Sequence, residues 1–181
     1  MSDIRLTDHE GTFLALVLRL QPISAYEVSR IYEDSPVSNF NTSKGKIYPL
    51  IRRLQERGLI AKRRIETDAR GTELLSCTDE GRDAVREWVR EIKPAHMLLE
   101  DPLRTKVQSF ELLSEQERID WIFAAKEGLE KQLERLEDYG AEVSVPFQEF
   151  VHDNAVRSVR ARIAWLDRML ARMLREQRAE A

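Results

Sequence analysis

At Gly58 the spacing of the apolar residues changes from that of a helix to that of strands, and few folds accommodate such a change. Upstream, Ile47, Leu50, Ile51 and Leu54 recur at i, i+3, i+4 and i+7, which puts four side chains on one face of an α-helix. Gly58 can take the left-handed conformation that closes such a helix. Downstream, residues 59–65 and 72–77 are short runs of strand-compatible residues on either side of the turn Thr67-Asp68-Ala69-Arg70-Gly71. A two-stranded hairpin should therefore follow the helix directly. Its apolar side needs cover from helices elsewhere in the chain, because an isolated hairpin is marginal in water.

Three more helices are legible around it. Thr7-Asp8-His9-Glu10 is a capping-box pattern ahead of Phe13, Leu14, Leu16, Val17, Leu18 and Leu20, and Ser24-Ala25-Tyr26-Glu27 repeats it ahead of Val28 and Ile31. After the hairpin, Thr78-Asp79-Glu80 caps a helix with Val85, Trp88, Val89 and Ile92 on one face, ended by Pro94. Helix-helix-helix-hairpin-helix is the order of a winged helix-turn-helix, and it takes up residues 1–92.

Residues 93–181 read as helical throughout. A shorter segment spans 98–113, with Pro102 marking its start, and Ser114-Glu115-Gln116-Glu117 opens a helix that turns Ile119, Ile122, Phe123, Leu129, Leu133 and Leu136 inward. Residues 140–146 break it, and a last helix runs from about Phe147 almost to the end. In that helix Val159, Ile163, Leu166, Leu170 and Met173 follow at steps of four and three, the 3.5-residue period of a coiled-coil seam. Such a seam needs a partner helix, from within the chain or from a second copy. We expect the second copy, with these five residues in a dimer interface. The expected fold class is mainly α with a small β-hairpin wing: a winged helix-turn-helix followed by a C-terminal helical, coiled-coil dimerisation domain.

Composition excludes several classes. The 181 residues are 42% apolar and 34% charged, enough to bury a core and unlike a disordered tail. No stretch approaches the roughly 18 apolar residues of a membrane helix. No signal-type apolar region follows the first residues, so no membrane partner and a cytoplasmic location are expected. Cys77 is the single cysteine, which rules out an internal disulfide and leaves zinc-ligand spacing unmet. His9, His96 and His152 are far apart, with no carboxylate at ligand spacing on a shared helical face. With no Gly-rich phosphate loop, nucleophile elbow or paired-carboxylate pattern either, no catalytic residue, metal or cofactor is expected.

The net charge of −3 hides an uneven distribution. Between residues 37 and 72 nine basic residues meet three acidic ones, a local balance of +6, whereas residues 81–181 are at −3. On a helical wheel with Ile47, Leu50, Ile51 and Leu54 inward, the opposite face presents Gly45, Lys46, Tyr48, Pro49, Arg52 and Arg53. A recognition helix enters the major groove by its N-terminal end. There the small Ser43 and Gly45 permit close approach, while Lys44, Lys46 and Tyr48 reach phosphates or base edges. Arg52 and Arg53, further along, suit phosphates. Lys62, Arg63, Arg64 and Arg70 of the hairpin would track the adjacent backbone, as a basic wing does. The partner expected is double-stranded DNA.

The run Gly45-Lys46-Ile47-Tyr48-Pro49-Leu50-Ile51-Arg52-Arg53-Leu54-Gln55-Glu56-Arg57-Gly58-Leu59-Ile60, with Gly71 and Thr78-Asp79-Glu80-Gly81 behind it, resembles the PadR family of transcriptional regulators over roughly residues 8–92. Tyr48-Pro49 is its specific element, since a proline inside a helix removes a backbone donor. Tyr26-Glu27 matches the family's Gly-Tyr-Glu segment except that Ala25 replaces the glycine. The resemblance implies a homodimeric repressor of an adjacent operon and release by a small phenolic or planar hydrophobic effector; the two-fold symmetry of such a dimer leads us to expect an inverted-repeat operator. It also implies that the helices carrying Ala164-Trp165-Leu166 are the dimerisation domain. The second wing strand departs from the family, with Glu73 and Leu75 where a basic residue and a tyrosine are usual.

Trp88 and Trp165 are the candidates for an effector pocket, since aromatic rings stack on planar ligands; core or interface packing is the competing role and the commoner one for an aromatic on an apolar stripe. Two other classes stay open: a protein-interaction module built on the seam, and a module that sequesters small molecules. The basic patch on the third helix and wing argues against both.

Overall fold

The computed structural model describes residues 4–37, 44–65, 72–142 and 145–180. The chain forms two compact units, Met1–Leu98 and Leu99–Ala181. The first continues past residue 92 through a 3-10 turn at Pro94–Met97, because His96 returns to Asp8 at 3.3 Å.

In the first unit α1 (Asp8–Leu20) and α2 (Ala25–Asp34) both start at the capping boxes read from the sequence. The Glu10 N–H donates to Thr7 Oγ1 at 3.2 Å while the Thr7 N–H donates to Glu10 Oε2 at 3.0 Å, and Ser24 and Glu27 repeat the exchange. α3 (Lys44–Glu56) ends on Gly58 at φ 72°. There the Leu59 N–H donates to the Leu54 carbonyl at 2.9 Å and the Gly58 N–H to the Gln55 carbonyl at 2.9 Å, a Schellman cap. β2 (Ile60–Arg64) and β3 (Glu73–Cys77) then pair antiparallel, with Lys62 opposite Leu75 and Arg64 opposite Glu73.

The sheet has a third strand that periodicity does not reveal. β1 (Ile23–Ser24) pairs with β3, giving the order β1-β3-β2, and two residues are too few to display a period of their own. Its pairing is lengthened by Gln21, whose side-chain carbonyl accepts the Cys77 N–H at 2.7 Å.

α4 (Asp79–Arg90) is held to the end of α3 by Thr78, which accepts from the Gly81 N–H and donates its hydroxyl to the Gly58 carbonyl at 2.7 Å. A Cβ on Gly81 would lie 2.3 Å from the Leu59 carbonyl oxygen, so the glycine of Thr78-Asp79-Glu80-Gly81 is a packing requirement. The inward stripe of α4 is Gly81, Ala84, Val85 and Trp88; Val89 and Ile92, expected on the same face, are 65% and 76% exposed. Counting from Gly81 instead of Val85 gives the i, i+3, i+4, i+7 set that is buried. The core gathers Phe13, Leu14, Val17, Val28, Ile47, Ile51, Leu54, Leu59 and Leu75, with Ile23 of β1, Ile60 of β2 and Val85 of α4, so every element contributes.

Glu10 is a buried carboxylate in this unit, 6% exposed, and it holds Arg57 at 3.0 Å. Burial pushes its pKa up, but the Thr7 N–H and the Arg57 guanidinium outweigh that, and it lies below its ordinary value of 4.5. A depressed folded-state pKa contributes stability above the unfolded value that is lost as pH falls through the folded one. Glu10→Gln should therefore lower stability at neutral pH and flatten the decline that begins near pH 4.5. Urea titrations from neutral to acid pH check this; an equally steep decline in the variant would contradict it.

The second unit is built on two long antiparallel helices, α6 (Glu115–Glu142) and α7 (Gln148–Glu180), preceded by the short α5 (Pro102–Val107). Lys126 pairs with Asp167, and Arg160 with Glu137 at 3.1 Å, fixing their antiparallel register. Asp101 caps α5 through the Leu103 N–H and accepts from Arg162 Nη2 and Nε at 2.7 and 3.0 Å, tying α5 to α7. The seam of α7 finds its partner within the chain. Val159 and Leu166 are 8% and 0% exposed in a cluster with Ile122, Leu129 and Leu136 of α6, and Ile163, Leu170 and Met173 pack half-buried against it. The apolar stripe is thus already covered, and by itself it no longer requires a second copy.

Two details differ from the sequence reading. Phe123, expected inward, is 56% exposed because Ile122 occupies the inward position, in step with Leu129 and Leu136. α6 also runs through Gly140 instead of breaking there, and the missing side chain is what admits His152: a Cβ on Gly140 would lie 2.5 Å from that ring. Among the described residues no helix is long and apolar enough to cross a membrane, and none group into a set of three metal-ligating side chains.

Candidate nucleic-acid interface

α3 divides cleanly between core and solvent. Ile47, Leu50, Ile51 and Leu54 are 0 to 4% exposed, while Lys46, Tyr48, Pro49, Arg52 and Arg53 line the open face, Tyr48 at 61%. Lys44 and Gly45 are the first two residues of the helix, ahead of Lys46 on its leading turn. Ser43 and Arg70 lie outside the described residues. Pro49 stays within the helix although it has no N–H to donate to the carbonyl four residues back.

The cations of this face fall into two groups. Arg52 holds Glu56 at 2.9 Å, Arg53 reaches Glu10 at 3.8 Å, and Lys62 holds Glu73 at 3.1 Å. Lys46, Arg63 and Arg64 are exposed and pair with no carboxylate among the described residues. Between α3 and the wing lies a cleft of about 330 Å³, lined by Tyr26 and Ser24 at the start of α2, Tyr48 of α3, and Lys62, Thr72 and Glu73 of the wing. Tyr26 is 59% exposed there. The sequence places Tyr26 only by motif and gives no sign that it joins Tyr48. The departures at Glu73 and Leu75 have a physical account: Leu75 is 1% exposed and anchors β3 between β1 and β2, and Glu73 serves Lys62.

The two tryptophans are placed separately. Trp88 packs on the first unit's core, its ring over Gly11 and its indole N–H donating to Asp8 at 3.0 Å. That hydrogen bond is the foremost reason the Asp8 carboxyl lies below its ordinary range. Trp165 packs half-buried against the α6–α7 cluster of the second unit. Asp8 also meets His96 and Lys93, a cluster of residues up to 88 positions apart that no local pattern announces. Cys77 is half-buried and burial pushes its thiol up, which suits a packing residue and not a nucleophile.

Residues 14–87 match the family model of the transcriptional regulator PadR-like family. Compared with curated proteins, the sequence finds no match. Among solved structures it is similar to Bacillus subtilis PadR in complex with operator DNA, at 18% identity and a TM-score of 0.80 over 92% of this chain and 99% of that one. It is similar to the same protein in complex with p-coumaric acid, at 20% identity and 0.74 over 91% and 97%. The PadR-like transcriptional regulator BC1756 from Bacillus cereus gives 20% identity and 0.73 over 96% and 99%. At such identities the structural likeness establishes the fold, and the family match rests on the winged-helix sequence. Residues 14–87 thus match the transcriptional regulator PadR-like family, and the chain as a whole has the fold of the PadR regulators.

Proposed function

We propose that the chain is a DNA-binding transcriptional regulator, acting as a homodimeric repressor of an adjacent operon and released from its operator by a small phenolic or planar hydrophobic effector. The observation that carries this reading is the division of α3, whose inner face is buried while Lys46, Tyr48, Arg52 and Arg53 stand outward beside Arg63 and Arg64 of the wing. Lys46 and Tyr48 on the leading turns are assigned to base edges and the arginines to phosphates. The complexes of Bacillus subtilis PadR with operator DNA and with p-coumaric acid support the class of partner and of effector. Trp165 and Trp88 are assigned first to packing.

Dimerisation is assigned to the second unit, where α6 leaves Ile163, Leu170 and Met173 of the seam half-buried and a second copy would complete their cover. Two-fold protein symmetry then requires an inverted-repeat operator with half-site centres about 34 Å apart or a multiple of it. Selection from a random duplex library, with light scattering on the free protein, tests both: a dimer and a two-fold symmetric site are expected. A monomer at micromolar concentration would remove the dimer, and the absence of salt-sensitive duplex binding would remove the DNA reading in favour of an interaction module. With p-coumaric acid as probe, release from the selected site is expected; unchanged binding at saturating probe would remove the phenolic effector.

A further inference from the structure

Three of the cations on the α3 and wing surface already hold carboxylates, and the three pairs are not alike. Arg52–Glu56 is an i,i+4 pair on open helix surface, which is easily exchanged. Glu10 is committed to Arg57 and to the cap of α1, and Arg53 stands only at its edge. Lys62–Glu73 differs because of where it sits. Glu73 lines the cleft between α3 and the wing together with Lys62, Tyr26, Tyr48 and Thr72, and its register partner in the sheet is Arg64. One carboxylate thus holds one wing cation and stands opposite a second in the sheet register.

A duplex whose major groove took α3 would bring a backbone strand toward the adjacent wing, and the cleft lies between the two. Its phosphates meet Glu73 there as a like charge. We propose that Glu73 is a built-in counter-anion of the DNA-binding face: it occupies Lys62 until a backbone phosphate displaces it, and so sets duplex affinity without setting sequence preference. The inference rests on the DNA-binding reading above and deepens it. A carboxylate on Lys62 already does for that ammonium what a phosphate would do, so the contact contributes only the difference between two anions. Once displaced, Glu73 stays beside the backbone with Arg64 as its remaining neighbour. Because phosphate contacts carry no base information, the effect is the same on any duplex.

The experiment compares the intact chain with Glu73→Gln, Lys62→Gln and the double variant, on a selected operator and on a random duplex, by fluorescence anisotropy at several salt concentrations. Glu73 is half exposed, so glutamine is expected to leave the melting temperature unchanged; Glu73→Thr, a second strand-compatible residue, is expected to behave alike. Glu73→Gln should bind both duplexes about 3- to 10-fold more tightly at low salt, with a salt slope steeper by about one phosphate contact. Lys62→Gln should then weaken binding more in the Glu73→Gln background than in the parent. Unchanged or weaker binding by both Glu73 variants overturns the inference, as does a tightening confined to the operator. A parent chain that binds neither duplex overturns the DNA-binding reading itself, whereas a parent that binds and a variant that does not tighten overturn this inference alone.

Discussion

Leu166→Ala should cost the second unit about 2–5 kcal/mol, the range for emptying a large apolar side chain from a closed core. Leu166 is 0% exposed and stands on α7 among Ile122, Leu129 and Leu136 of α6, so little of the surroundings can collapse into the space. Ile163 and Met173 lie on the same seam but are half-buried, and their alanine variants should cost the fold clearly less. If a second copy covers their open side, those variants should instead shift the monomer–dimer equilibrium toward monomer. Denaturant titrations at two protein concentrations separate the two effects. A loss below about 1 kcal/mol for Leu166→Ala would mean that α6 does not close over the seam as described.

The seam shows what a one-dimensional pattern can carry. The steps from Val159 to Ile163, Leu166, Leu170 and Met173 reveal a buried stripe of a given period, but the partner that buries it is a tertiary fact: the same period serves an intrachain helix or a second copy. The legible elements are those with local signals, namely the capping boxes at Thr7 and Ser24, the Gly58 stop and the Thr78 cap. Each lies where the residue types require it. The illegible parts depend on neighbours far away in sequence. β1 is two residues long and exists because Leu74 and Leu75 offer it an edge. Val89 and Ile92 are open because the inward stripe of α4 is set by Gly81 meeting Leu59. For the candidate interface, the helical wheel puts Lys46, Tyr48, Pro49, Arg52 and Arg53 outward, where they are exposed, since helix geometry fixes a face once four core positions are known. Which cations already hold carboxylates is beyond it. Glu56 is within reach of Arg52 on any helix, but Glu10 and Glu73 reach Arg53 and Lys62 only through the packing of α1 and the register of the wing.

The side chains assigned to DNA on α3 and the wing should fail differently when removed. Arg63 and Arg64 extend from β2 with no carboxylate partner among the described residues, so each can neutralise a phosphate. Arg63→Ala or Arg64→Ala should weaken binding to operator and random duplex alike and lower the salt slope by about one unit for each phosphate left without its cation. Arg53→Ala should do the same to a smaller degree, because Arg53 divides its charge with Glu10 at 3.8 Å. Lys46 and Tyr48 lie on the leading half of α3, outward and unobstructed, with Tyr48 at 61% exposure. Removing a side chain that reads a base edge costs the cognate site alone, so Lys46→Ala or Tyr48→Ala should lose about 1 to 3 kcal/mol on the selected operator and little on random DNA. Titrating each variant on both duplexes across a salt series distinguishes the two kinds of loss in a single data set. Equal losses on both duplexes for Lys46→Ala and Tyr48→Ala would move these residues to the phosphate group. Base reading would then have to come from elsewhere on the helix.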